Sequence, residues 1–431
     1  MLLIHLSDLH FKKGEFDSPF DQNAHLRNEL LKDVKLMLSE LNKSAAAILI
    51  SGDLTFAGRQ EEFQYAEGWL SELCVASGAA FQDIFTVPGN HDVVRDISDK
   101  TVIQALHNSI KSESRNLNKK ITQILTDDSA SQLMYNSLEN YNNFSNKFFC
   151  DLLPPKRTIA VRDLTLNDGS KLRIHGLNST FVSSGADKIG DLFIDPSALR
   201  ITRNPGIENL IICHHPYNWI RNGDELRDHF NVVSKLQLFG HEHINRNDIN
   251  RDFVRLFASA GHPDRDESDW EPGYNIIVLN VIGDSSDRKL EVKVYARVWQ
   301  KRPGKFIPKE DMNEKFFHQE IRLENWELNS SVSHAVLLSR GVKTPVAEVE
   351  EIEKVVESSD TKMNSLREIS IRFFKLSSSQ KLAIAEKFEL LDDNDLDQPN
   401  HEKFRRVLLR AMDRNLIENL DEEIKKCLNE Y

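Results

Sequence analysis

Leu2-Leu3-Ile4-His5-Leu6-Ser7-Asp8-Leu9-His10 opens the chain, and two later stretches repeat its pattern: Ala46-Ala47-Ile48-Leu49-Ile50-Ser51-Gly52-Asp53 and Ile84-Phe85-Thr86-Val87-Pro88-Gly89-Asn90-His91-Asp92. Each is a short apolar run that ends abruptly in Asp, Asn or His. Runs this brief, bounded by turn residues, read as buried strands. Between them the apolar residues take helical spacing. Leu26, Leu30, Val34, Met37 and Leu41 form one stripe, and Phe63, Ala66, Leu70 and Leu73 another. Strands alternating with amphipathic helices imply crossover units.

Further along the pattern changes. Residues 96–151 are polar and rich in Asn, Ser and Lys, and read as a helical insertion, either a lid or a surface excursion. Strands are expected again at Thr158–Leu166 and Leu172–Gly176, joined across Asn167-Asp168-Gly169 by a tight primed turn. Others are expected at Leu210–Cys213, Leu236–Phe239, Phe253–Phe257, Tyr274–Val281 and Leu290–Trp299, the later ones alternating apolar and polar residues. The fold class is therefore α/β (α+β): a two-sheet sandwich flanked by helices, over residues 1–328. A soft Ser-, Glu- and Val-rich zone at 329–361 reads as a linker. Residues 362–431 form a small all-α domain, with a capping box at Ser377 and Gln380 and Pro399 in a first helical turn. Its apolar stripes are Leu382, Ala385 and Phe388, then Phe404, Val407, Leu408, Ala411 and Met412, then Leu420, Ile424 and Leu428.

The formal charge of -12 argues against nucleic-acid binding over the whole surface. A local basic run, Arg297, Lys301, Arg302, Lys305 and Lys309, reads first as a solvated strand edge. Four scattered cysteines, Cys74, Cys150, Cys213 and Cys427, match no zinc or disulfide framework and fit a cytoplasmic protein. No apolar stretch approaches membrane-spanning length, so no membrane association is expected.

Five clusters fall at strand ends: Asp8-Leu9-His10, Gly52-Asp53, Gly89-Asn90-His91-Asp92, His214-His215-Pro216 and Gly240-His241-Glu242-His243. Ligands of such sheets gather outside the carboxyl ends of the strands. Singly, each cluster has an ordinary explanation as a turn or cap; five in this arrangement do not. Two divalent ions about 3.5–4 Å apart clamp phosphoryl oxygens and acidify a water. Holding them requires a bridging carboxylate, such as Asp53. Histidine nitrogens with carboxylate and amide oxygens suit Mn, Fe, Zn or Ni. Asp8 and His10, like His241 and His243, are two apart and are expected to point the same way from extended chain. By the same alternation His214 and His215 are expected to diverge. His5 reads as a core histidine, and His262 as a weak candidate for the site.

These motifs resemble those of the calcineurin-like metallophosphoesterases over roughly residues 1–300, and most of all the bacterial cyclic-nucleotide phosphodiesterase branch. Asp92 and the run Leu54-Thr55-Phe56-Ala57-Gly58 depart from the protein-phosphatase branch. The resemblance implies one metal held by Asp8, His10, Asp53 and His243, and a second held by Asp53, Asn90, His214 and His241. His215 then packs or meets substrate. The implied metals are two divalent ions, manganese first, with iron, zinc or nickel as alternatives. His91 donates a proton to the leaving oxygen or steadies the transition state, and Asp92 is expected to orient His91. The implied activity is hydrolysis of a phosphodiester, in a nucleotide or cyclic nucleotide, by a metal-activated water.

Leu376–Cys427 resembles the death-fold-like effector-associated domains of bacterial defence systems. That implies a protein partner recruited by helical contact, and an effector role in defence; a plain helical oligomerisation module is the alternative. Two other functions compete: a metal-dependent DNA or RNA nuclease tracking the basic run, and a non-catalytic scaffold that keeps only the fold.

Overall fold

The computed structural model describes residues 1–16, 18–19, 21–261, 271–284, 286–310, 314–326 and 362–429. They fall into two units, one of Met1–Tyr141 with Leu152–Trp326, the other of Asn142–Asp151 with Glu327–Tyr431. The linker expected at 329–361, and His262, lie outside the described residues.

In the first unit β1 (Leu2–Leu6), β2 (Ala47–Ile50) and β3 (Ile84–Thr86) pair in parallel, fully buried as their unbroken apolar runs require. Helices α1 (Ala24–Leu41) and α2 (Gln60–Ser77) form the crossovers. On the far side of β1 the sheet continues antiparallel through β10 (Gly273–Ile282) and β11 (Lys289–Lys301), and β11 carries β12 (Gly304–Pro308) and β13 (Phe317–Arg322). The second sheet runs β4 (Ile159–Thr165), β5 (Lys171–Leu177), β6 (Ile207–Ile212), β7 (Ser234–Phe239), β9 (Val254–Phe257), β8 (Arg246–Ile249). Its inner pairs are parallel and its two edges antiparallel. This is the two-sheet sandwich the sequence implies. The sheets meet closely: a side chain at Gly176 of β5 would come within 2.9 Å of Phe85 in β3.

Strands β8, β12 and β13 escape the sequence reading. They are edge or add-on strands with few buried residues; in β13 only Phe317 and Ile321 are covered, so polar side chains hide the pattern. The β4–β5 hairpin also differs. Leu166 N–H donates to the Ser170 carbonyl at 2.8 Å, so the loop holds three residues, not the two of a primed turn.

The basic run is broken. Arg297 is buried, donating from Nε and Nη2 to both oxygens of Asp33 at 2.8 and 2.6 Å, and Tyr274 Oη donates to the same carboxylate at 2.7 Å. Lys309 is tied to Glu271 at 2.6 Å. The insertion is helical as expected, although Asn142–Asp151 groups with the C-terminal helices. Phe149 packs against their core, and Asp151 pairs with Arg405.

Within that second unit, helices cover 362–375, Ser378–Lys387, Asn400–Asp413 and Ile417–Asn429. The capping box forms, with Gln380 N–H donating to Ser377 Oγ at 3.3 Å and Ser377 N–H to Gln380 Oε1 at 2.9 Å. Pro399 is the cap residue, one place earlier than expected. Phe373, Ala385, Phe404, Val407, Leu408, Ala411, Leu420 and Ile424 make the core. No helix among the described residues is long and apolar enough to cross a membrane.

Asp33→Ala leaves a buried guanidinium and a buried phenol without their acceptor. It is expected to destabilise the first unit by about 3–5 kcal/mol, against about 1 kcal/mol for Tyr274→Phe, read from urea denaturation of both variants.

Candidate metal centre

The five clusters meet at one rim because the loops beyond β1 and β2 stay laddered after the strands end. Asp8, His10 and Phe11 N–H groups donate to the carbonyls of Gly52, Asp53 and Leu54 at 3.0, 3.1 and 3.0 Å. From β7, Gly240 N–H donates to the His214 carbonyl at 3.0 Å, and His241 N–H to Asp8 Oδ2 at 3.1 Å. Ligand atoms of Asp8, His10 and His243 lie within 4.8 Å of one another. So do those of Asp8, Asp53 and His214, of His10, Asp53 and His91, and of His214, His215 and His241. Asn90 joins through Oδ1, 3.1 Å from His214 Nε2.

The convergence does not arise from extended chain. Asp8, His10, Asp53, His241 and His243 all have left-handed backbones, with φ of 54, 47, 52, 69 and 56°. Such conformations cost about 1 kcal/mol or more each and persist only where surrounding bonds over-determine them. The paired ligands therefore turn into the site by bends. Nor do His214 and His215 diverge: β6 ends at Ile212, strand alternation ends with it, and the two rings stand 4.6 Å apart on the same side. The dipeptide just past a strand end, followed by Pro216, was the available signal.

Hydrogen bonds orient the imidazoles. His214 Nδ1 faces the Ser51 carbonyl at 2.8 Å and so carries its proton there, which turns the Nε2 lone pair toward Asp53 Oδ2 at 3.2 Å and Asn90 Oδ1. Three acceptors facing one another need a cation or a proton between them. Burial works against protonating His214, but the Asp53 charge lifts it to about 9. Although burial opposes their ionisation too, His243 and His10 keep Asp8, and His214 keeps Asp53, below the ordinary carboxylate range. Burial, then the His214 charge, pushes His241 down to about 3. His215, hydrogen-bonded to Ser179 Oγ at 2.8 Å, presents Nε2 to Asn90 Oδ1 at 3.1 Å and can fix the direction of that amide.

The residues fit divalent metal. Buried His10 Nε2 has no hydrogen-bond partner, its nearest carboxylate oxygens being Asp8 Oδ1 at 3.6 Å and Asp53 Oδ2 at 3.8 Å. Two ionised carboxylates (Asp8 and Asp53), four imidazoles (His10, His214, His241 and His243) and the Asn90 amide oxygen form an N/O donor set.

His91 and Asp92 part company. His91 N–H donates to Asp53 Oδ1 at 2.7 Å and its ring Nδ1 to the Phe56 carbonyl at 2.8 Å, leaving Nε2 for the site. Asp92 does not orient His91. Its oxygens accept from Thr55 N–H and Oγ1, both at 2.9 Å, from Gly89 N–H at 2.9 Å and from Leu54 N–H at 3.3 Å. It binds the loop after β2 to the loop after β3. His5 is a core residue, with Nε2 2.9 Å from Ser51 Oγ. Sequence reasoning missed two aromatic neighbours: Trp219, edge-on to His241 at 4.2 Å, and Phe56, 5.4 Å from His91.

Residues 1–245, more than half the chain, match the family model described as calcineurin-like phosphoesterase, and the chain belongs to that family. Residues 365–426 match the model of the GTPase-associated adaptor domain. An uncharacterised metallophosphoesterase-like protein of Bacillus subtilis strain 168, YydB, is 23% identical over 60% of this chain and 53% of its own length. The glycerophosphodiester phosphodiesterase GpdQ of Enterobacter lignolyticus strain SCF1 is 34% identical over 21% of this chain and 30% of its own. This chain thus spans about half, or less, of the curated relatives it matches. Among solved structures, the 5'-nucleotidase of Candida albicans SC5314 aligns with 12% identity and a TM-score of 0.36, covering 65% of this chain and 48% of that one.

Gly89 has no room for a side chain: a Cβ there would stand 2.1 Å from Asp53 Oδ1 and 2.3 Å from Asp53 N. Gly89→Ala must displace the Asp53 carboxylate. It is expected to lower bound metal at least tenfold in metal analysis of the purified chain, while the far-ultraviolet circular dichroism stays unchanged.

Proposed function

We propose that this chain is a dinuclear metal-dependent phosphodiesterase acting on a nucleotide or cyclic nucleotide. The observation that carries the reading is the pair of buried, ionised carboxylates, Asp8 and Asp53, in one cluster with His10 Nε2, which has no hydrogen bond of its own. Asp8, His10, Asp53 and His243 would hold one ion, and Asp53, Asn90, His214 and His241 the other, manganese being the first expectation. Bound there, such ions supply charge against the non-bridging phosphoryl oxygens and acidify an attacking water.

The chain's own side chains do the rest. Asn90 adds an oxygen without adding charge, and His215 holds that oxygen in place. His91, fixed by Phe56 and Asp53, turns Nε2 to the oxygen that leaves the phosphorus. Its role in this reading is to deliver a proton from Nε2 as the imidazolium, keeping the Nδ1 proton on the Phe56 carbonyl and returning to the neutral ring. Asp92 acts on the loops alone. Because the two ends of the basic run, Arg297 and Lys309, are tied to Asp33 and Glu271, no observation favours the nuclease alternative.

Metal-stripped protein should hydrolyse bis-p-nitrophenyl phosphate only after manganese, nickel, zinc or magnesium is restored. Asp53→Asn should lose both bound metal and turnover. His91→Ala should keep its metal and lose about 10²–10⁴ in kcat. Equal turnover in stripped and reloaded protein would remove the reading.

The adaptor-domain match at residues 365–426 supports a protein partner for the C-terminal helices; the effector role in bacterial defence that we propose beside it rests on the resemblance of Leu376–Cys427 alone. Protection of a culture against phage, lost on His91→Ala, is the outcome this role expects. Equal plaque counts with and without the intact gene would refute it.

A further inference from the structure

Phe56 is the aromatic residue among the large apolar side chains left exposed in the described residues, at 39% of its surface, and it stands at the rim of the metal centre. Its ring centroid lies 5.4 Å from that of His91 and 6.4 Å from that of His10. Isolated apolar side chains on a surface are ordinary and need no explanation. This one differs in the rigidity of its support.

The backbone around it is bonded almost residue by residue. Thr55 N–H donates to Asp92 at 2.9 Å, Phe56 N–H to the Phe11 carbonyl at 3.0 Å, and Ala57 N–H to Glu62 Oε2 at 2.9 Å. Gly58 N–H donates to Thr55 Oγ1 at 3.2 Å, the Gly58 carbonyl accepts from Asn140 Nδ2 at 2.8 Å, and Arg59 N–H donates to Glu62 Oε2 at 3.3 Å. The Phe56 carbonyl itself accepts from His91 Nδ1. The same residue thus aims the imidazole and holds a flat apolar surface beside it. An aromatic ring on a backbone already fixed loses little entropy when a ligand stacks on it.

Lys12 Nζ sits 4.8 Å from the ring centroid, but that side chain is 44% exposed and paired with exposed Glu15 at 2.8 Å. Such a pair is screened by water, and a ligand displaces it at little cost. The ammonium also remains available to an anionic group near the base.

We propose that Phe56 is a specificity-determining residue, a stacking platform for a nucleobase on the arm of the phosphoester that runs past His91. The inference rests on the phosphodiesterase reading above and narrows it. The favoured substrates carry an aromatic base within a nucleoside's reach of the phosphorus, and aliphatic esters such as glycerol phosphodiesters are disfavoured.

The test is direct binding, which does not depend on turnover. Manganese-loaded full-length chain, its metal content measured, is titrated calorimetrically with thymidine 5'-monophosphate and with glycerol 3-phosphate, two phosphomonoesters that differ in the base. Wild type should prefer the nucleotide by about tenfold or more, the scale of one base stacked on one ring. Phe56→Ala should bring the ratio close to one, and Phe56→Trp should restore it. The carbonyl that orients His91 belongs to the backbone and survives both changes. A wild-type ratio near one, or a ratio unchanged by Phe56→Ala, overturns the proposal. So does an equal loss for both ligands that tryptophan fails to restore, since the ring would then serve the fold. If neither phosphate binds the metal-loaded wild type, the phosphoesterase reading itself is removed, and this proposal with it.

Discussion

Two carboxylates that neither reach water nor repel each other out of place set the terms for the rest of this molecule. Asp8 and Asp53 are buried, at 0% and 1% exposure, with oxygens within 4.8 Å of each other. At an effective dielectric of about 20, two like charges at that separation repel by about 3 kcal/mol, before any desolvation. Both nonetheless stay ionised, because imidazoles from three other loops surround them. Protonating His214 relieves only part of the excess negative charge; divalent cations relieve it fully. The donor set is thus an energetic demand for metal as much as a geometric one.

Meeting that demand shapes the backbone. Five of the nine left-handed non-glycine residues among the described positions are candidate ligands. Gly52, also left-handed at φ +98°, could not carry a side chain without meeting His214. The strain is contained by ladders that run past the strand ends, and by Asp92 and Glu62, which spend their carboxylates on loop N–H groups. A carboxylate next to the candidate proton donor is therefore scaffold, and the group that aims His91 is a backbone carbonyl 35 residues earlier, at Phe56. Rigid loops on a rigid sheet hold the site without help from a ligand.

Much of this was legible in one dimension. Buried central strands announce themselves as unbroken apolar runs, and their ends show where Asp8, Asp53, Asn90, His214, His241 and His243 emerge. The stripes of the C-terminal helices were equally plain: Phe404, Val407, Leu408 and Ala411 are the buried face of one of them. The edge strands β8, β12 and β13 were not, because a strand with one neighbour and a wet face needs few apolar residues. Nor was the fate of Arg297, whose partner Asp33 lies 264 residues away.

The sequence by itself determined which elements form and which residue types stand at their carboxyl ends, since both follow from local periodicity and chemical identity. It could not determine how those ends turn. Strand alternation sent His215 away from His214 and tied Asp8 to His10 by extended geometry, whereas left-handed bends and the end of β6 place them otherwise. Such bends are unfavourable locally and exist only because hydrogen bonds from distant loops hold them. The same holds for Asp92 and Phe56. Whether a carboxylate aims an imidazole or ties a loop, and whether a ring is spare surface or a platform, depends on partners that only the folded chain brings within reach.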